Sequence, residues 1–157
     1  MIREPTGVKV AVSNRQRRLK INASLLARIV ERALEFVHDD RAELGIVLVD
    51  DDGIAKLNAQ YHSTQGPTDI LSFDYGEGQG ELIISMDHVI AQARRFRSTP
   101  SRELVLYVVH GILHLHGHND LTPPQRRRMR IAEQQMMSHL RKIFGLKGLI
   151  SQRISER

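Results

Sequence analysis

The stretch HGILHLHGHND, residues 110–120, holds four histidines and one aspartate in a chain that has no cysteine. His110 and His114 are spaced i, i+4, so on a helix their side chains lie one above the other on the same face. Two imidazoles placed in this way can reach one metal ion at about 2.0–2.1 Å each. His116 is rotated away from the pair and is expected behind it or at the surface. The spacing predicts a metal site built on a helix.

A third ligand is expected just beyond this helix. Gly117 is suited to end the helix in the left-handed conformation, and Asp120 follows three residues later. Another helix begins at once, because Thr122 can act as its N-cap and Gln125 can complete a capping box. Asp120 therefore lies in a tight turn from which it can fold back toward the histidine pair. His118, which also follows the break, is the alternative third ligand.

Three protein ligands and an open fourth position for water are typical of a catalytic zinc site rather than a structural one. Zinc lowers the pKa of such a water to about 7 and polarises an oxygen of the substrate. Two histidines and one carboxylate also suit iron or manganese. Lys and Arg together number 23 against 18 Asp and Glu, and this basic balance favours a polyanionic partner, with nucleic acid first.

The hydrophobic pattern supplies the elements that must position these residues. Strands are predicted at 8–12, 43–50, 68–75 and 80–85, and helices from residue 22 or 24 to 37 and at about 51–62, 86–97, 101–116 and 122–144. This order predicts an α+β fold, a small mixed β-sheet packed with about five helices. The fourth helix carries the histidine pair and is therefore expected to be a zincin-like metal helix. The chain of 157 residues is expected to form a single domain, with short flexible tails at about 1–6 and 146–157.

The remaining composition predicts a cytoplasmic protein. The N-terminal segment lacks the apolar core of a signal peptide. The densest apolar run, residues 104–109, is far shorter than the about 20 residues that span a bilayer. The absence of cysteine excludes a disulfide partner and thiolate metal ligands. We therefore expect no membrane association and no disulfide-linked partner.

Taken together, these motifs resemble those of the YbeY family, the metal-dependent endoribonucleases of bacterial rRNA maturation. HGILHLHGHND resembles the signature of that family, LNAQYHSTQGPTDILSFD (57–74) its second conserved block, and GELIIS (80–85) the strand after it. The order and the spacing of these motifs agree with those of the family over roughly residues 44–137. The resemblance implies a single-strand-specific endoribonuclease with one zinc ion, acting in processing of the 16S rRNA 3′ end and in ribosome biogenesis. Its implied partners are rRNA and the small ribosomal subunit.

Two residues depart from the family pattern. Asp120 stands where the family has a third histidine, and His62 stands where it has an arginine. Because aspartate is also a metal ligand, the implied metal site is His110, His114 and Asp120. Arginine is always charged and can bind a phosphate with two donors, whereas histidine has an unperturbed pKa near 6.5. We expect His62 to be a catalytic cation that acts only when it is protonated.

Further cations are expected to bind the RNA along a basic rim of the metal cleft. The predicted substrate-binding residues are Arg94, Arg95 and Arg97 on one helix, and Arg126, Arg127 and Arg128 on another are further candidates. Neutralising phosphates in this way gives binding that weakens with salt.

Two other functions stay open at this point. Metallopeptidases share the metal motif, but they place a glutamate directly after the first histidine as general base, where this chain has Gly111. The other alternative is a non-catalytic ribosome-assembly factor that binds RNA and whose metal only braces the fold. That alternative stays open because this chain has His62 where the family has an arginine.

Overall fold

The computed structural model describes residues 7–62 and 70–152. Its helices are α1 (Ala23–Phe36), α2 (Asp51–His62), α3 (Met86–Arg95), α4 (Pro100–Leu115) and α5 (Pro123–Ile143). Its strands are β1 (Lys9–Asn14), β2 (Leu19–Ile21), β3 (Glu43–Val49), β4 (Ile70–Gly76), β5 (Gln79–Ser85) and β6 (Ile150–Gln152). The predicted α+β fold with a small mixed sheet and five helices is confirmed.

The main sheet has the strand order β1-β3-β5-β4. The first three of these strands run parallel, and β4 pairs with β5 in the antiparallel sense. The β4–β5 hairpin turns at Glu77 and Gly78, which both have positive φ, at 55° and 77°. The antiparallel edge strand β4 lies beside the C-terminal half of the sheet's covering helix, α4, and forms one wall of the site described below.

The two faces of the sheet have different cores. Ile46 and Leu48 of β3 face the larger cluster, which also contains the apolar faces of α1, α4 and α5. Val47 and Val49 alternate to the opposite face, where they pack with Ile54 of α2. Burial on both faces explains why β3 reads as a continuous apolar run in the sequence. α2 and α4 therefore lie on opposite sides of the sheet.

α4 approaches the sheet most closely at Gly111. A Cβ added at this position would lie 2.7 Å from Leu82 Cδ2 and 2.9 Å from Ile70 Cδ1. Such distances are shorter than van der Waals contact, so the packing needs glycine in the middle of the helix although glycine lowers helix stability. The neighbouring residue His110 is held beside β4 by this contact.

The first turns of α2 and α3 are tied to one another at the ends of β3 and β5. Asp87 accepts a hydrogen bond from the Asp51 backbone N–H at 2.8 Å, and Ser85 Oγ donates to the Asp51 carboxylate at 2.6 Å. Ser85 also caps α3. Burial alone would raise the pKa of Asp87, but its hydrogen bond and ion pair with Arg18 hold this pKa below the usual value. The start of α2 is thereby fixed.

Two short strands were not predicted from the sequence. β2 and β6 form a second, antiparallel sheet. Next to it, Leu149 is fully buried, and its carbonyl accepts the Asn22 N–H at 2.8 Å. Residues 149–152 thus belong to the folded domain, although a flexible tail was expected from about residue 146. Strands of three residues are too short to show a periodic pattern, and only pairing across the chain reveals them.

Within the two described ranges, no helix combines the length and the apolar character that crossing a bilayer would need.

Candidate metal centre

Three side chains meet where α4 ends. Asp120 Oδ2 lies 3.5 Å from His110 Nε2 and 3.5 Å from His114 Nε2. The ligand atoms of the three residues all lie within 4.8 Å of one another. Ligands about 2.0–2.1 Å from a tetrahedral ion are separated by about 3.3–3.4 Å, so the two separations of 3.5 Å are close to those expected around a single metal ion. The structure brings the three predicted ligands together, and the cluster could hold a metal.

The turn that carries Asp120 is fixed at both ends by the signals read from the sequence. Gly117 has φ 105°, and the N–H groups of Gly117 and His118 donate to the carbonyls of His114 and Leu113. This pattern is a Schellman C-cap. On the other side, Thr122 and Gln125 form the expected capping box of α5. Asp120 is therefore held between two capped helix ends.

The other two histidines of the motif lie outside the cluster. Among the residues that the structure describes, the group whose ligand atoms converge contains Asp120 and not His118. His116 is exposed, and its Nδ1 lies 3.1 Å from Asp39 Oδ2. His116 is thus turned away from the pair, as the sequence predicts, and Asp120 is the better third ligand.

Glu133 of α5 was not among the residues predicted from the sequence. Its carboxylate is hydrogen-bonded to His110 Nδ1. A carboxylate behind a ligating histidine fixes the ring and its tautomer, so that the lone pair for a metal is on Nε2. A signal was present, because Glu133 stands four residues from both Met129 and Met137 on the buried face of α5. A carboxylate on an apolar face needs a partner.

The cluster opens onto a cavity of about 540 Å³. Its opposite wall is β4, which contributes Ser72 and Asp74. The side chains of His110, His114 and Asp120 are between 26% and 35% exposed, so water and a substrate can reach them. A structural metal site is closed by protein ligands, whereas a catalytic one keeps an open position. The open side of this cluster would leave room for such a position if the cluster held a metal.

The end of α4 is also tied to the loop before β3. Arg41 donates to the Leu115 carbonyl at 3.5 Å and makes an ion pair of 3.0 Å with Asp39. Burial alone would raise the pKa of Asp39, but hydrogen bonds from Arg41 and His116 hold it below its usual value. The side chains of Asp39 and Arg41 are only 7% and 8% exposed. This buried pair anchors the helix turn that follows His114.

The structure does not bring the predicted substrate-binding arginines to this cavity. Arg94 lines a separate cleft near the start of α4, and Arg95 and Arg97 are exposed beside it. Pro100, at that end of α4, is about 15 Å from His110 along the helix axis, given 1.5 Å per residue. The three residues 126–128 are exposed on the first turns of α5, next to the turn that carries Asp120.

His62 is the last residue of α2, and the prediction for its side chain lies outside what the structure describes. The position of the helix is fixed at its other end, through Asp51.

The position after the first histidine does not suit a catalytic carboxylate. A side chain at Gly111 would collide with Leu82 and with Ile70, which also lines the cavity. The general base of a metallopeptidase could not be placed there without rebuilding the sheet contact. The structure therefore argues against the peptidase alternative.

Comparison with known proteins gives a consistent result. The family model described as "Endoribonuclease YbeY" matches residues 11–141. A protein of that name from Chlorobium luteolum is 34% identical over 85% of this chain and 98% of its own length. Another, from Syntrophotalea carbinolica, is 32% identical over 86% of this chain and 97% of its own length. The solution structure of a Thermotoga maritima protein matches with a TM-score of 0.60 and 26% identity, covering 83% of this chain and 88% of that one.

Proposed function

This chain belongs to the endoribonuclease YbeY family and is a hydrolytic endoribonuclease, and on that premise we propose that it is metal-dependent and cuts single-stranded precursor rRNA. Its proposed task is processing of the 16S rRNA 3′ end during assembly of the small ribosomal subunit in the cytoplasm. The observation that carries this proposal is the convergence of His110, His114 and Asp120 on an open cavity. The formal net charge of +5 supports a polyanionic substrate.

The donor set of two imidazoles and one carboxylate suits zinc, with iron or manganese as alternatives. A metal held there would supply an activated water and would polarise an oxygen of the scissile phosphate. Glu133 holds the His110 ring so that its Nε2 faces Asp120 and His114. The capped turn holds Asp120 in place, so the ligands need little rearrangement when they bind an ion.

Hydrolysis of a phosphodiester also needs positive charge where negative charge develops. We assign this role to His62, which stands where the family has an arginine. Arg126 is a second candidate near the cavity, because its guanidinium donates to the Leu121 carbonyl at 3.1 Å and so stays beside the turn of Asp120. Both would act on the phosphate and not on the metal.

The test is cleavage of labelled RNA by purified protein. Single-stranded RNA should be cut and a duplex of the same sequence should not. Chelation should abolish cleavage, and added zinc should restore it. His114→Ala should remove metal and activity while circular dichroism shows a folded protein, and His118→Ala from the same motif should cleave like the wild type. A folded, metal-free His114→Ala variant that still cleaves RNA would exclude the proposed mechanism.

A further inference from the structure

A second and larger cleft, of about 810 Å³, lies at the opposite end of α4 from the metal centre. It is bounded by the end of α3, the start of α4, the last turn of α5 and the small β2–β6 sheet. Its cationic lining residues are Arg18, Arg94, Arg102, Arg141 and Lys147. None of the described residues that line it is acidic.

Most of this positive charge is available to a ligand. Arg18 is paired with Asp87 at 2.6 Å, and Arg102 is 3.7 Å from Glu103. Within the described part of the chain, the other three cations have no acidic group within 4.0 Å; they are Arg94, Arg141 and Lys147. The partial positive charge at the start of α4 adds to theirs.

One polar group beside the cleft has no hydrogen-bond partner among the described residues. Ser98 Oγ is buried, and in the described part of the chain it has no hydrogen-bond partner. Ser98 lines the cleft together with Thr99, the N-cap of α4. A buried hydroxyl without a partner is costly, and the Ser98 hydroxyl would have to turn toward the cleft to bind a ligand oxygen.

The apolar part of the cleft matches the rest of a nucleotide. Leu19, Phe144 and Ile150 line it, and all three also pack against the core. Phe144 is the aromatic residue of this lining that a base would contact. Phe96 is 62% exposed just outside, with the Arg95 guanidinium 5.2 Å from the centre of its ring. Cations that bind phosphates, interleaved with aromatic rings, are typical of surfaces that bind single-stranded nucleic acid. A flat lipid surface could not enter such a cleft. An acidic peptide would lack the nucleobase that contacts the apolar lining of the cleft.

We propose that this cleft is a second binding site for single-stranded RNA, in which Arg94, Arg141 and Lys147 bind phosphates and Phe144 contacts a base. The inference rests on the proposed function for the identity of the ligand. The cleft is about 15 Å from His110 along α4, so it binds RNA away from the scissile phosphate. The cleft therefore contributes to the affinity for RNA and to the position of the strand relative to the metal centre. Arg94 is still proposed to bind RNA, but in this cleft and not at the rim of the metal cleft.

The test compares two double variants that lose the same charge. Arg94→Gln/Arg141→Gln removes two cations of the cleft, and Arg28→Gln/Lys142→Gln removes two exposed cations that do not line it. Affinity of the metal-loaded proteins for a fluorescent single-stranded RNA with cleavage-resistant phosphorothioate linkages is measured as a function of salt. Each lost phosphate contact should lower the slope of log affinity against log salt by about 0.7, which is about fivefold in affinity near 0.1 M salt.

The cleft variant should therefore bind about 25-fold more weakly than the wild type, and the control should keep the wild-type slope. A polyglutamate peptide of equal charge should not displace the RNA. Equal slopes for the two variants, or displacement by polyglutamate, would overturn the proposal. Wild-type cleavage of unmodified RNA is measured separately, so loss of the proposed function is distinguishable from failure of the cleft.

Discussion

His110 is held from two sides, because Glu133 binds its Nδ1 while its Nε2 faces Asp120 at 3.5 Å. The two carboxylates come from different elements, one from the middle of α5 and one from the turn before it. The first orients the ring and the second completes the set of ligand atoms. A metal centre built in this way depends on the packing of α5 against α4 as much as on the histidine motif itself.

Replacing Glu133 by glutamine should weaken metal binding by about 10–100-fold, because carboxylates behind ligating histidines contribute about that much to affinity. The affinity is measured by competition with a chelator of known strength. Glu31→Gln on α1 is the control, since Glu31 is also partly exposed but lies outside the cluster. Unchanged metal affinity in a folded Glu133→Gln variant would mean that this hydrogen bond does not support the site.

Gly111→Ala should lower the free energy of unfolding by about 1 kcal/mol. The added Cβ would lie 2.7 Å from Leu82 Cδ2, and overpacking of this kind costs about 1–3 kcal/mol. The higher helix propensity of alanine over glycine offsets about 1 kcal/mol of that cost. Denaturant unfolding measures the difference. Gly145→Ala is the control, because no atom lies within 4 Å of an added Cβ there. If both variants are as stable as the wild type, the close approach of α4 to the sheet is not needed.

Asp39→Asn should destabilise the protein near neutral pH by about 3 kcal/mol, because it breaks a buried ion pair with Arg41. The lowered pKa of Asp39 means that its carboxylate stabilises the fold above the unfolded-state pKa of about 3.9. That contribution is lost as the pH falls from about 5 through the lower folded-state value. Thermal unfolding followed from pH 6 downward should therefore depend less on pH in the variant.

Asp40→Asn serves as the matched control for this prediction, since Asp40 is the exposed neighbour of Asp39. It should keep the wild-type pH dependence. The same loss of pH dependence in both variants would show that the ion pair with Arg41 is not its source.

His62→Arg should raise RNA cleavage on the alkaline side of the pH–rate profile. The wild-type histidine loses its charge as the pH rises, whereas arginine stays charged. An alkaline limb set by His62 should disappear in the variant, and the measurement is kcat/KM against pH at constant metal loading. If the variant keeps the alkaline limb of the wild-type pH–rate profile, His62 has no role in catalysis.

The features that the sequence predicts correctly are local. The i, i+4 spacing of His110 and His114 and the capping signals around Asp120 are each set within a few residues, and the structure has them. The amphipathic pattern likewise predicts α1, which was expected from residue 22 or 24 to residue 37 and is capped at Asn22 and Val37. Such patterns depend on helix geometry, which neighbouring residues decide.

The features that the sequence does not predict depend on contacts between distant parts of the chain. Glu133 meets His110 across 23 positions, and β2 meets β6 across most of the domain. The position of Arg94 is a further case, because α3 carries it to the far end of α4. A sequence shows that an arginine lies on a helix, but the helix packing decides which cleft it lines.

The most direct test of the metal centre is elemental analysis of the purified wild-type protein beside two variants, Asp120→Ala and His118→Ala. We predict one transition-metal ion per chain in the wild type and in His118→Ala, because the described ligand cluster contains Asp120 and not His118. Asp120→Ala should lose the ion or bind it much more weakly. One ion per chain retained by Asp120→Ala, with the ion lost from His118→Ala, would contradict the assignment of Asp120 as the third ligand.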